Sequence, residues 1–291
     1  MTVRTLVAAV APVAEDRTGL LSALAVAKTL RAHLDAAFVR PDPEDTFVYM
    51  GMDPATADRA SNEQRVRVET EGLAASRRAE DRFSLLCRET GIPMVDDPVA
   101  GPRPSAQWRV LVGDPAVQIP QAAKAHDMAI FTAAFTGYHL LLENALETTL
   151  LHSGRPVLFL PGSEARAPDF GHALIAWDDS GGAARAVSAW LATEDAAQRA
   201  TVLRLSETGE DIPEPDGLLE HLAWHGISAT AETRPRGFGS LGAALLEAAA
   251  ETDAGMIVMG GYGHARYREA VLGCMTRHVV RKSHLPVLMM H

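Results

Sequence analysis

Cysteine is nearly absent: the 291 residues include only Cys87 and Cys274, too few for a disulfide framework and too far apart for a metal-ligand spacing. A reducing compartment is the natural setting. Basic residues are in deficit as well, with 27 Lys and Arg against 37 Asp and Glu and a formal net charge of -10. The long-range field therefore repels phosphate backbones and anionic lipid, and neither nucleic acid nor a membrane is an expected partner. No stretch approaches the roughly twenty apolar residues that a membrane span needs. The apolar run from Met1 to Val10 is followed at once by Pro12, Glu15 and Asp16, without a small-residue cleavage pattern, and reads as a first β-strand rather than a signal peptide. The expectation is a cytoplasmic protein.

Catalytic signatures are also missing. The spacing G-x-x-x-x-G-K-[ST] does not occur, Gly261-x-Gly263 is followed by Arg266 where a dinucleotide fingerprint needs its third glycine, and there is no G-x-S-x-G elbow. An enzyme is not expected.

What is present is apolar material for one or two cores, 47% of all residues, and an internal repeat. His152-Ser153-Gly154-Arg155-Pro156-Val157-Leu158-Phe159 matches Lys282-Ser283-His284-Leu285-Pro286-Val287-Leu288-Met289, and Asp127 to Phe131 matches Ala254 to Met259. Thr5 to Val10 matches Ala173 to Asp178. Strands and helices alternate in the same order in both halves, which predicts βαβ units and a mainly parallel sheet. In the second half, strands are expected at Ala173–Trp177, Ala200–Leu205, Ser228–Thr233, Met256–Met259 and after Pro286. Helices are expected over the Ala183, Val187, Trp190, Leu191 face, at Leu218–Trp224 closed by Gly226, at Leu241–Ala250 and at Cys274–Lys282. The first half carries a longer helix, Ser61 to Thr90, with a Ser61-x-x-Gln64 capping box, apolar positions Val66, Leu73, Phe83 and Leu86, and Gly91 at its end. Pro161 to Phe170 reads as a linker. Two domains, 1–160 and 171–291, are favoured over a single doubly wound sheet of ten strands.

One segment carries chemistry. A strand ends at Met259, glycines follow at Gly260, Gly263 and Gly273, and a helix begins near Cys274. Glycines permit close backbone approach and a helix N-terminus offers unpaired N–H groups, so together they can cradle an anion at the carboxyl end of a parallel strand. A plain tight turn is the bland alternative.

The spacing Gly260-x2-Gly263-x9-Gly273 resembles the hallmark of the universal stress protein family, G-x2-G-x9-G followed by Ser or Thr near the C-terminus. Ala176-Trp177-Asp178-Asp179-Ser180 is similar to the family's first strand ending in Asp-Gly-Ser, and Leu285-Pro286-Val287-Leu288 to its closing strand. The resemblance implies a tandem α/β protein of two such domains. Each would be a five-stranded, mainly parallel sheet flanked by helices, of the adenine nucleotide alpha hydrolase-like kind. It further implies a stress-response role, with ATP or a related adenine nucleotide in the second domain. Asp178 would lie at the adenine and ribose end, beside backbone atoms of Trp177 and Met259. Gly260 and Gly263 would admit ribose and phosphates, and Gly273, Cys274, Met275 and Thr276 would present N–H groups to the phosphates. The acidic pair Asp178-Asp179 has the chemistry to hold Mg²⁺ with the nucleotide, although one strand-end Asp suffices for base or ribose contact.

Cys274 departs from the pattern, standing where Ser or Thr is expected, and the hydroxyl of Thr276 is the candidate substitute. The first half departs further: Thr132 replaces Gly260, Phe135 replaces Gly263, Val10 stands for Asp178, and no glycine occurs between Tyr138 and His152. That half is expected to bind no nucleotide and to serve as a packing partner in an intramolecular pseudo-dimer, with Pro156–Leu160 paired to Pro286–Met290. A further homodimer and protein partners stay open, as does the alternative of a regulatory or interaction protein with both sites degenerate.

Other residues have two readings each. His221 and His225 lie four apart on one helical face, as metal pairs do, but lack the Glu of a metalloprotease motif and read first as a solvated or capping pair. His264, Arg266 and Arg268 flank the glycine loop as ligand contacts or surface residues. Cys274 at a helix N-terminus is either a redox-sensitive thiol or a small packing residue. Trp177, Trp190 and Trp224 are expected in the core.

Overall fold

A computed structural model of the chain describes residues 2–11, 17–44, 59–98, 100–133, 140–162, 168–193, 198–206, 213–235, 239–261 and 274–291. The first half runs β1 Thr5–Val10, α1 Arg17–Leu30, β2 His33–Arg40, α2 Arg59–Thr90, β3 Ser105–Val112, α3 Pro115–Lys124, β4 Met128–Thr132, α4 Leu140–His152 and β5 Val157–Leu160. The second runs β6 His172–Ala176, α5 Gly181–Leu191, β7 Arg199–Ser206, α6 Asp216–Trp224, β8 Ser228–Pro235, α7 Leu241–Glu251, β9 Met256–Gly260, α8 Cys274–Lys282 and β10 Val287–Met290.

The ten strands among the described residues lie in one sheet, in the order β3-β2-β1-β4-β5-β10-β9-β6-β7-β8. Within each half every pairing is parallel, and the halves meet where β5 and β10 run antiparallel, Leu288 opposite Leu158. The two five-strand sets of the repeat and the ten-stranded alternative are thus one object, joined at the closing strands. Both faces of the inner strands are buried, as parallel strands between helices require. Leu6, Ala8, Ile175, Val202 and Leu288 face one helical layer, and Val7, Ala9, Leu174, Ile257 and Met289 face the other.

The register shifts one equivalence. Ala129 stands beside Val7 and Val157, as Ile257 stands beside Leu174 and Val287. Val7 is therefore the counterpart of Leu174, and Asp178 is matched by Ala11, not Val10. Sequence similarity alone cannot place a gapless apolar run to better than one residue, because either face of such a strand is buried.

The long helix also differs from expectation. It starts at Arg59, so Ser61 lies inside it and the capping box does not open it. Ala79, Phe83, Leu86 and Cys87 are buried, whereas Val66 is 63% and Leu73 40% exposed. Thirty-two helical residues span about 48 Å, and an eight-residue strand only about 26 Å. The helix outruns the sheet, and Val66 in its first part stays exposed.

Helix ends follow local chemistry. Asp114 Oδ1 accepts the N–H of Ala116 at 2.8 Å, and Ser180 Oγ and Ser240 Oγ accept those of Ala183 and Ala243 at 3.1 and 3.2 Å. Gly91 and Gly226, with φ of 70° and 74°, close α2 and α6. No helix among the described residues is long and apolar enough to cross a membrane.

Candidate functional site

From β6 the chain winds outward to β7 and β8, then returns to β9 on the other side of β6. Their carboxyl ends therefore flank a topological switch point, the place where open α/β sheets take ligands. Residues Trp177 to Ser180 join β6 to α5 there. Asp178 is exposed, and its Oδ1 accepts the N–H of Ser180 at 3.1 Å, a turn that leads into the Ser180 cap of α5. Asp179 takes a left-handed conformation, φ 59°. Its Oδ1 accepts the indole N–H of Trp177 at 2.8 Å and its Oδ2 a guanidinium N–H of Arg204. The two acidic neighbours therefore do not form a joint cation site: Asp179 is committed to Trp177 and Arg204.

Arg204 was not signalled as a site residue. Its second guanidinium nitrogen donates to the Pro213 carbonyl, and its buried Nε has no partner among the described residues. The available clue is the alternation of β7: Ala200 and Val202 face the core, and Arg204 continues that face, so its charge needed an acidic partner.

The glycines divide by role. A Cβ on Gly260 would stand 2.8 Å from the Ala183 nitrogen and 3.2 Å from Ser180 Oγ. Gly260 therefore makes room for the N-terminus of α5 instead of for ribose or phosphate, and Gly182 reciprocates, its own absent Cβ leaving space for the Met290 carbonyl at 3.1 Å. Gly261 admits Leu150 of α4, which a Cβ would meet at 2.5 Å. The Gly261 carbonyl accepts His291 Nδ1 at 3.1 Å, and Arg185 Nε donates to the His291 carbonyl at 2.8 Å. Gly263 and Gly273 lie outside the described residues, as do His264, Arg266, Arg268, Phe135 and the Cys274 side chain.

Cys274, Met275 and Thr276 form the first turn of α8, whose backbone N–H groups have no intrahelical acceptors. Met259 is buried inside β9, Met275 is half-buried, and Thr276 is 2% exposed. The Thr276 side chain is thus closed off from solvent, and a hydroxyl standing in for the missing Ser or Thr would act from beneath the first turn of α8. Thr276→Val is expected to leave nucleotide affinity within twofold while shifting the urea midpoint; a tenfold loss of affinity in calorimetry would restore the hydroxyl to the site. In the first half, buried Thr132 fills the position of Gly260.

The tryptophans also part company. Trp190 is fully buried, its Nε1 donating to the Phe170 carbonyl at 2.9 Å, and Trp177 is half-buried over the Asp179 carboxylate. Trp224 is 83% exposed, contrary to expectation, because α6 buries Leu218 and Leu222 and turns position 224 outward.

A second polar cluster lies in the first half, under the end of α3. Asp35, 6% exposed in β2, receives His33 Nε2 on Oδ1 at 2.9 Å, and Arg109 Nε and His126 Nε2 on Oδ2 at 3.0 and 3.1 Å. Burial opposes its charge, but the bonds from His126 and His33 and the Arg109 guanidinium outweigh it and hold the carboxyl far below the usual carboxylate range. Burial likewise disfavours a charged His126, yet its bonds to Asp35 and to the Ala122 carbonyl raise its pKa above 6.5. At the matching place in the second half, Thr201 and Arg199 bond His172 at 3.0 Å each, and the Asp253 and Asp169 carboxylates act on it through space. The sequence clue was a lone Asp inside Leu34-Asp35-Ala36-Ala37-Phe38.

Residues 172–291 match the family model described as Universal stress protein family. This part of the chain is a universal stress protein domain. A universal stress protein from Archaeoglobus fulgidus DSM 4304 is 18% identical over 99% of this chain and 96% of its own, with a TM-score of 0.66. A protein from Pseudomonas aeruginosa UCBPP-PA14 is 14% identical over 99% of this chain and 93% of its own, at 0.57. These likenesses extend the universal stress protein fold over both halves. A universal stress protein in complex with cAMP is 16% identical over 56% of this chain and all of its own, at a TM-score of 0.34. No curated protein matches the chain.

Proposed function

We propose that the protein is a tandem universal stress protein whose second half binds an adenine nucleotide, ATP or a relative, at the β6/β9 switch point. The observation that carries this reading is the exposed Asp178 carboxylate at the end of β6, beside the carboxyl end of β9. A strand-end carboxylate there suits ribose hydroxyls, and the first-turn N–H groups of α8 suit phosphates. The fit is partial: the face of Gly260 is taken by α5 and the Thr276 side chain is buried, so phosphate would be held by backbone groups. Any Mg²⁺ would rely on Asp178 and the nucleotide itself, since Asp179 is engaged elsewhere. The role is that of a binding protein in a stress response, with the first half as a packing partner.

The second reading is a regulatory or interaction protein with both sites degenerate, favoured by the crowding over Gly260 and by Cys274 in place of Ser or Thr. Mass spectrometry of small molecules released on denaturation, followed by calorimetric titration with ATP, separates the two. Co-purified or micromolar-binding ATP, weakened at least tenfold in Asp178→Ala, supports the nucleotide site. No nucleotide and no heat would leave the interaction reading.

A further inference from the structure

The end of α6, at the amino edge of the sheet and away from the switch point, carries an arrangement that the nucleotide reading does not use. His221 lies in the last turn of α6 and His225 caps it. Helical spacing puts both rings on one face, and their centroids stand 4.8 Å apart at an interplanar angle of 67°. Both residues are exposed, and among the described residues neither ring has a hydrogen-bond or ion-pair partner.

The scaffold beneath them is fixed. Leu218 and Leu222 anchor α6 in the core, and the helix closes on Gly226 at φ 74°, with Gly226 N–H bonded to the Ala223 carbonyl and Ile227 N–H to the Leu222 carbonyl. The imidazoles are therefore presented on a rigid backbone, and only their own rotation needs to be restrained by a ligand.

The ring spacing suits one ion between them. With metal–nitrogen bonds of about 2.0–2.1 Å, two cis imidazoles on one metal have centroids roughly 4.5 Å apart at a right angle and roughly 5.2 Å apart at the tetrahedral angle. The observed 4.8 Å falls between. The carbonyl end of a helix carries partial negative charge, and the chain's net charge of -10 raises the local concentration of cations. No group of three or more His, Cys, Asp and Glu able to hold a metal occurs among the described residues, so water would complete the coordination.

We propose that His221 and His225 chelate a divalent transition-metal ion, with Cu²⁺ bound more tightly than Ni²⁺ or Zn²⁺, as imidazole ligands and the Irving–Williams order require. The site is a surface chelate, reversible and dependent on neutral imidazole.

Trp224, between the two histidines in sequence and almost fully exposed, is a built-in reporter, because bound Cu²⁺ quenches a neighbouring indole. The test is a titration of the full chain with CuCl₂ at pH 7.5, followed by tryptophan fluorescence and by electron paramagnetic resonance for nitrogen ligation. His221→Ala and His225→Ala are each expected to weaken the tightest quenching phase at least tenfold, and the double variant to remove it. Both side chains are exposed, so the variants keep the fold, checked by circular dichroism. Quenching that is unchanged in the double variant, or absent in the unaltered chain up to 100-fold molar excess of metal, overturns the proposal. Neither outcome depends on whether the protein binds a nucleotide.

Discussion

Replacing Asp35 by alanine is expected to cost about 3–5 kcal/mol of folding stability, the usual result of removing one partner from a buried charged cluster. Three groups lose their acceptor at once: His33, His126 and Arg109. Urea denaturation of the variant against the unaltered chain measures the loss, and a change below about 1 kcal/mol would mean that water reaches the cluster and takes over the carboxylate's role. The same cluster sets a pH window. Asp35 is depressed below its ordinary 3.8, so its contribution is complete above about pH 4 and is lost as pH falls through the folded-state value. His126 is raised above 6.5, so its contribution is complete below that pH and is lost as pH rises through its folded-state value. The cluster therefore stabilises most between about pH 4 and 6.5. In Asp35→Ala the alkaline loss should disappear as well, because the histidine no longer has a reason to hold its proton. Nuclear magnetic resonance titration of the His126 ring reads this directly.

Gly260→Ala is the second large effect. The added methyl group would press on the backbone of Ala183 and Gly182, and backbone at a helix N-terminus cannot rotate aside as a side chain does. A loss of about 3 kcal/mol, the upper end for overpacking, is expected from thermal or urea unfolding, and it should be the same with and without ATP. A variant of unaltered stability that no longer binds ATP would instead return Gly260 to the ligand side of the site.

These two positions show what sequence can and cannot supply. Gly260 was conspicuous through its spacing, but spacing does not say what approaches a glycine; here it is a helix of the same half. Asp35 gave no comparable signal. It needed the register of two adjacent strands and the turn after α3 to bring His33, Arg109 and His126 within reach, contacts separated by up to 91 residues. The order of strands and helices was legible because each element has its own apolar period and stop signal, as α8 illustrates, which spans Cys274–Lys282 as its pattern indicates. Trp224 and Val66 misled for the opposite reason. A large apolar side chain biases a residue inward, but α6 buries Leu218 and Leu222 and turns position 224 outward, and Val66 lies on the stretch of α2 ahead of its buried residues.

The antiparallel pairing of β5 with β10 also sets a schedule. β5 is complete about 130 residues before its partner strand exists, and a ribosome adding 5–20 residues per second takes roughly 7–26 s to supply them. Throughout that interval the newly made first half carries β5 paired to β4 on one side only, the kind of open edge that invites another chain. A strand edge of another incomplete chain is the competitor that β10 of the same chain must outrun.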